Sequence, residues 1–236
     1  MELVYGSRRI PYTVSFSKNR KTIKLTVAAP DNVEVVAPAG TPDEVVEKAV
    51  ASRAKWVVEQ LFDLKDVRHQ QPEREYVSGE SFLYLGRSFA LDLQLDPQVM
   101  RTKVDIVNQK LVVDTNSDEP SLVKKILIGW YRKQAKQFLT ERVEYYATRI
   151  GVNPVDVTVK DQKKRWGSCT KGNRLIFNFR VVMAPSNAID YVVVHELCHL
   201  TEKGHTPRFW KLVASVLPDY EERKRWLLNN GAKLDV

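Results

Sequence analysis

The run His195-Glu196-Leu197-Cys198-His199 sets two imidazoles four residues apart, with a carboxylate directly after the first. On a helix this spacing brings both rings to one side, about one turn apart. Two ring nitrogens placed so can reach a single zinc ion at ~2.0 to 2.1 Å, and the carboxylate then lies within reach of a water on that ion. The implied chemistry is metal-assisted hydrolysis: zinc lowers the pKa of its water and polarises the scissile group, while Glu196 takes the water proton and returns it to the leaving atom. A catalytic zinc usually has three protein ligands and one open position. His205 suits the third place, because Gly204 permits a sharp backbone exit and Thr206-Pro207 opens the next helix as cap and first-turn residue. Glu202 is the rival ligand, since glutamate also serves at such sites, although it follows His199 by only three residues.

A His-Glu-x-x-His match arises by chance in roughly one chain in a hundred of this length, so its surroundings decide its weight. Here Ser186 can cap a helix after Pro185, and Ile189, Val192, Val193 and Leu200 give that helix a buried face. Burying two histidines and a glutamate on one turn with no metal or ionic partner would be costly. Just upstream, Lys163-Lys164-Arg165-Trp166-Gly167-Ser168-Cys169 precedes an expected strand from Leu175 to Val182. A strand beside such a helix can pair with an extended substrate, which makes Arg165 and Trp166 substrate-binding candidates. The group that stabilises the developing oxyanion is open among Arg165, Tyr191 and Tyr220. Cys198, adjacent to His199, is expected to point away from the metal as a small buried hydrophobe, and Cys169 to lie nearer the cleft. His69 belongs to a Gln-rich linker and is expected to be idle.

The elements that must position these residues follow from hydrophobic periodicity. Ile23, Leu25 and Val27, then Val33 and Val35, alternate as strands around the turn Pro30-Asp31-Asn32. Thr41-Pro42-Asp43-Glu44 reads as a helix start, with the helix expected to run to about Leu64 on an apolar face of Val45, Ala49, Trp56 and Leu61. Strands return from Tyr76 to Val113. A long helix follows Pro120, with Leu122, Ile126, Trp130, Phe138, Tyr146 and Ile150 near helical spacing, and Val155, Val157 and Val159 form one more strand. The pattern predicts an α+β fold: an N-terminal β-rich subdomain with a covering helix over residues 1–115, then a catalytic subdomain over 116–236 carrying the histidine helix. No internal repeat is apparent.

Composition bounds the class of protein. With 236 residues and 43% hydrophobic content, the chain can bury a core without disulfides, and its two cysteines do not form a disulfide framework. No apolar run approaches the ~20 residues of a bilayer span, and the start MELVYGSRRIPYTV lacks the features of a secretory signal, so cytoplasmic residence is expected. A net charge of +8 would favour nucleic acid, nucleotides or acidic surfaces as partners.

The segment RWGSCTKGNRLIFNFRVVMAPSNAIDYVVVHELCHLTEKGHTPRFW resembles the YgjP-like metallopeptidases, relatives of the SprT and WLM (Spartan-type) families. The resemblance extends to VVAPAG, YVSGESFLYLGRSFALDL and WYRKQAKQFL, and so to nearly the whole chain. It implies a zincin-like catalytic half with His195, His199 and His205 as zinc ligands and Glu196 as catalytic base. The histidine spacing equals that of the metzincins, but Glu202 stands where their glycine would be and no methionine follows His205 to make their turn, which excludes them. Three functions remain: a zinc metallopeptidase acting on protein or peptide, a metal-dependent nucleoside triphosphate pyrophosphatase, and a zinc-stabilised, nucleic-acid-associated binding module. The metallopeptidase is preferred for its motif and the adjacent strand, and the binding module is disfavoured because a purely structural zinc would be closed by four ligands and would not need Glu196.

Overall fold

The computed structural model describes residues 1–5, 8–28, 32–58, 74–162 and 165–236. The chain forms two compact units, Met1–Pro72 and Glu73–Val236. In the first unit, strands β1 (Glu2–Tyr5), β2 (Arg8–Ser17), β3 (Lys24–Ala28) and β4 (Asn32–Pro38) make one sheet in the order β1-β2-β4-β3. Helix α1 (Asp43–Ala51) covers it, and residues 54–58 are again helical. The buried helical stripe is Val46, Val50, Ala54 and Val57, packed with Leu3, Tyr12, Val33 and Val35 of the sheet. This corrects the expected face: Val45 is 48% and Trp56 41% exposed. The stripe lies one residue later than the sequence suggested, because the apolar residues at 45, 46, 49 and 50 admit either phase of a helical repeat. The predicted end of this helix near Leu64, with Leu61, lies outside the described residues, as do His69, Lys163 and Lys164.

The second unit holds β5 (Ser81–Tyr84), β6 (Arg87–Leu95), β7 (Lys103–Val107) and β8 (Lys110–Thr115), in the order β5-β6-β8-β7, followed by α2 (Pro120–Ile150). A smaller sheet follows, from β9 (Asp156–Lys160), β10 (Gly167–Cys169) and β11 (Arg174–Asn178), in the order β10-β11-β9. A 3₁₀ turn, Phe179–Met183, leads to α3 (Ser186–Cys198), α4 (Pro207–Val216) and α5 (Tyr220–Asn230). The fold is α+β. The expected strand from Leu175 to Val182 is cut short because the Asn178 side chain accepts from the Arg180 N–H at 3.1 Å and turns the chain into the 3₁₀ segment.

The division near residue 115 does not match this arrangement. Phe82, Phe89, Leu91, Leu111 and Val113 of the β5–β8 sheet share one core with Leu127 and Tyr131 of α2 and with Phe177, Ile189 and Val193. Alternating strands look alike in sequence, and only this shared core assigns the second set to the same unit as the histidine helix.

The sequence shows no internal repeat, but the structure has one. In each unit the first and second strands are antiparallel, the second and fourth parallel, and the third and fourth antiparallel. Tyr5 opposite Arg8 corresponds to Tyr84 opposite Arg87, Leu3–Ile10 to Phe82–Phe89, and Tyr12–Val33 to Leu91–Leu111. Each sheet then runs into a helix that buries a valine and, one turn later, a second aliphatic residue: Val46 and Val50 in α1, Val123 and Leu127 in α2. The copies share an inside-outside phase that many residue types satisfy, so little residue identity is needed to keep it.

Two devices fix α3. At the β5–β6 turn, Leu85 and Gly86 donate their N–H groups to the carbonyls of Val182 (2.7 Å) and Met183 (3.2 Å), just before the helix starts. Gly86 has φ +77°, and a Cβ there would lie 2.9 Å from Pro185 Cα, so this turn can approach the helix start only without a side chain. Farther along α3, the buried Asp190 takes a two-pronged ion pair from Arg142 of α2 (2.7 and 2.8 Å) and a hydrogen bond from the Tyr146 hydroxyl (3.0 Å). The Arg142→Ala variant would leave that carboxylate on Tyr146 alone. With the pair partly screened, the expected loss is about 2 to 3 kcal/mol, read as a fall of roughly 5 to 10 °C in the thermal midpoint. A midpoint unchanged within 1 to 2 °C, roughly the scale of a neutral surface change, would contradict this role.

Candidate metal centre

The side chains of His195 and His199 leave the C-terminal end of α3, and His199 itself is the residue that ends the helix. His205 returns from the following turn to complete a group whose candidate ligand atoms all lie within 4.8 Å of one another. His195 and His205 bring their Nε2 atoms to 2.9 Å. His199 places Nδ1 2.9 Å from the Glu202 carbonyl oxygen. A carbonyl can only accept, so His199 donates from Nδ1, which leaves Nε2 as its nitrogen for a cation, the usual arrangement around a metal-ligating imidazole. Glu202 is thus drawn into the surroundings through its backbone, and its carboxylate does not belong to the convergent group.

The neighbours hold these rings in place. Thr206 caps α4 by accepting from the Phe209 N–H at 3.3 Å, with Pro207 in the first turn, and the buried Phe209 ring stacks on His199 at 4.5 Å. Trp210 stacks on His205 at 5.6 Å. Gly204 is absent from the glycines with positive φ, and a Cβ there would meet nothing closer than Thr206 at 3.8 Å. The return to His205 therefore needs no glycine at 204, contrary to the expected sharp exit. Ser186 is likewise the first helical residue rather than its cap, a place taken by Pro185.

Burial, with His199, His205 and Lys224 as weaker contributors, pushes the pKa of His195 down to about 3, and burial also lowers that of His205. Neutral imidazoles keep their lone pairs for a cation, so a borderline-soft divalent ion such as zinc fits this donor set. Glu196, only 6% exposed, points from the same turn of α3 toward β10. A Cβ at Gly167 would lie 2.7 Å from Glu196 Cγ and 2.9 Å from Oε1, so glycine alone lets the carboxylate lie against that strand. Burial raises the Glu196 pKa to about 7, against the opposing pull of the Cys169 N–H, which hydrogen-bonds it, and of the Arg165 charge.

A cleft of about 290 Å³ opens from His195 and Glu196, with Arg165, Trp166 and Tyr191 in its wall. These five residues, all singled out in the sequence, thus meet in one place. The Tyr191 hydroxyl is 3.5 Å from His195 Nδ1, and burial pushes its pKa up to about 12. Tyr220 lies outside this lining and stacks on Trp210 at 5.4 Å. Cys198 is fully buried with its thiol pushed up to about 12, whereas Cys169 is half-buried. The cleft also contains Lys224, Leu227 and Leu228 of α5, which the sequence did not point to. Their helix is rich in charge, and only its packing beside α3 brings them to the site.

A comparison with curated proteins gives no match. Among solved structures, the metallopeptidase zymogen of Pyrococcus abyssi abylysin is similar to part of the chain: it is 21% identical, and the match covers 38% of this chain and 91% of that one at a TM-score of 0.35. The family model of the YgjP-like metallopeptidase domain matches residues 21–230. That span takes in β3 at one end, the three histidines, and α5 at the other, so the chain belongs to the YgjP-like metallopeptidase family.

Proposed function

We propose that this metallopeptidase is zinc-dependent, with His195, His199 and His205 as ligands and Glu196 as general base toward peptide or protein substrates. The observation that carries the reading is the convergence of three imidazoles, within 4.8 Å of one another, beside a buried carboxylate at the head of a cleft. Zinc bound there would supply a Lewis acid that brings the pKa of water to about 7 and polarises a scissile carbonyl. Glu196 is suited to take a proton at neutral pH and to hold it for the departing amine, because burial has raised its own pKa to about 7. Its position is kept by the Cys169 N–H and by the absence of a side chain at Gly167.

Strand β10 offers a track for the substrate backbone. The Trp166 carbonyl accepts from Asn178, and the Thr170 N–H donates to Arg174, so these residues face β11. Gly167 and Cys169, alternating with them, direct their backbone groups to the other edge, where Cys169 meets Glu196. A peptide added along this edge would take its affinity largely from main-chain hydrogen bonds. The buried Asn178 fixes the start of the track by donating from Nδ2 to the Gln162 carbonyl at 2.6 Å.

Arg165 and Lys224 at the cleft favour a second reading, a nucleoside triphosphate as substrate. Both readings need the metal, so metal removal and zinc restoration are assayed on both substrate classes, and the substrate that is turned over separates them. Protein stripped of metal should lose cleavage of unfolded protein and peptides, and about one equivalent of zinc should restore it. Cleavage that persists in the stripped protein would contradict the reading, and zinc-restored triphosphate hydrolysis without peptide cleavage would favour the alternative.

A further inference from the structure

Beyond the metal ligands and base, the cleft has an apolar floor and a cationic rim. Val192 of α3 and Leu227 of α5 are buried, Trp166 is half-buried, and Leu228 stands 73% exposed at the mouth. Arg165 and Lys224, both exposed, arrive from separate elements, the segment before β10 and the helix α5. Among the described residues neither takes part in a salt bridge. Lys224 Nζ rests 4.8 Å from the Trp210 ring centre, and that ring stacks between Tyr220 and His205. The ammonium group therefore lies beside the aromatic stack that leads to His205.

We propose that this cleft is a subsite for a substrate carboxylate borne next to an apolar side chain, with Lys224 reading the carboxylate and Arg165 assisting from the other wall. The inference rests on the metallopeptidase reading above and names the peptides that this site prefers. Two cations above apolar walls attract an anion more strongly than the same cations in open water, because the local dielectric is lower. The space, about 290 Å³, lies just below the usual range of ligand pockets, roughly 300 to 1,000 Å³, and suits one large side chain with its acid group better than an extended polyanion. The carboxylate has two sources, a free chain terminus or an Asp or Glu side chain.

The test uses the zinc-loaded full chain and matched leucine-containing peptides that differ in one group: free or amidated C-terminus in one pair, Glu or Gln beside the leucine in the other. For the parent, kcat/KM should favour the anionic member of at least one pair by about tenfold, mostly through KM and less so at high salt. The pair that shows the preference identifies the source of the carboxylate. Lys224→Arg should keep the preference. Lys224→Glu should bring the ratio below one and favour a lysine-bearing peptide, with an unchanged thermal midpoint to show that the fold is intact. Equal rates on both members of both pairs, or a ratio that survives Lys224→Glu, would overturn the inference while leaving the metallopeptidase reading in place. If no peptide is cleaved in a Glu196-dependent way, both fail.

Discussion

Glu196→Gln is expected to lower peptide hydrolysis by about 10²- to 10⁴-fold while the metal remains bound. The substitution keeps the shape of a side chain packed tightly against Gly167, where a Cβ would come within 2.7 Å of Cγ. The new amide oxygen can still accept the Cys169 N–H that the carboxylate accepts now, so the side chain should stay in place. What disappears is the ability to take a proton. Because Glu196 lies outside the histidine group, zinc content should not change. The measurement is kcat on a cleaved peptide, with zinc per chain determined on the same sample. More than roughly a tenth of parent activity, against the 10² or more given up when a general base is lost, would remove Glu196 from the mechanism, whereas lost zinc would show that it holds the metal.

The convergence of the candidate site residues was more legible in the sequence than the architecture. His195, Glu196 and His199 lie within one turn of helix, and geometry at that range follows from spacing alone. His205 could be read because Thr206-Pro207 announces a helix start just after it, and the Thr206 side chain does cap that helix. Arg165 and Trp166 fall near the histidines on the expectation that the strand from Leu175 to Val182 flanks the histidine helix, but that strand, β11, is the middle one of its sheet, and the strand that meets Glu196 is β10, which the sequence pattern did not predict. Lys224, Leu227 and Leu228 carried no such signal, since a charged helix near the end of a chain reads as a solvated one until its packing is known. The unit boundary failed for a related reason. The phase of the β5–β8 strands shows which residues face inward, but whether their partner is α2 or the preceding sheet depends on contacts remote in sequence. Glu196's close fit to Gly167 is also tertiary, as the two residues are distant in sequence and meet only where β10 passes α3.

The largest effect on the metal itself is expected from His195→Ala. The three rings are nearly equidistant, with centres 4.9 Å apart for His195–His199 and His195–His205 and 4.8 Å for His199–His205, and His195 is the one of the three that lies within α3 itself. Its loss would leave two ligands from the end of α3 and the next turn, too few for the three-ligand site of a catalytic zinc. Alanine is compatible with the helix, so the fold should survive and the variant should report on metal binding. The most direct test of the account is therefore zinc per chain, by elemental analysis after dialysis against a weak chelator, in the parent and in His195→Ala. The account predicts about one zinc per parent chain and close to none in the variant. Stoichiometric zinc retained by His195→Ala, or a parent that holds no zinc when zinc is supplied, would contradict it.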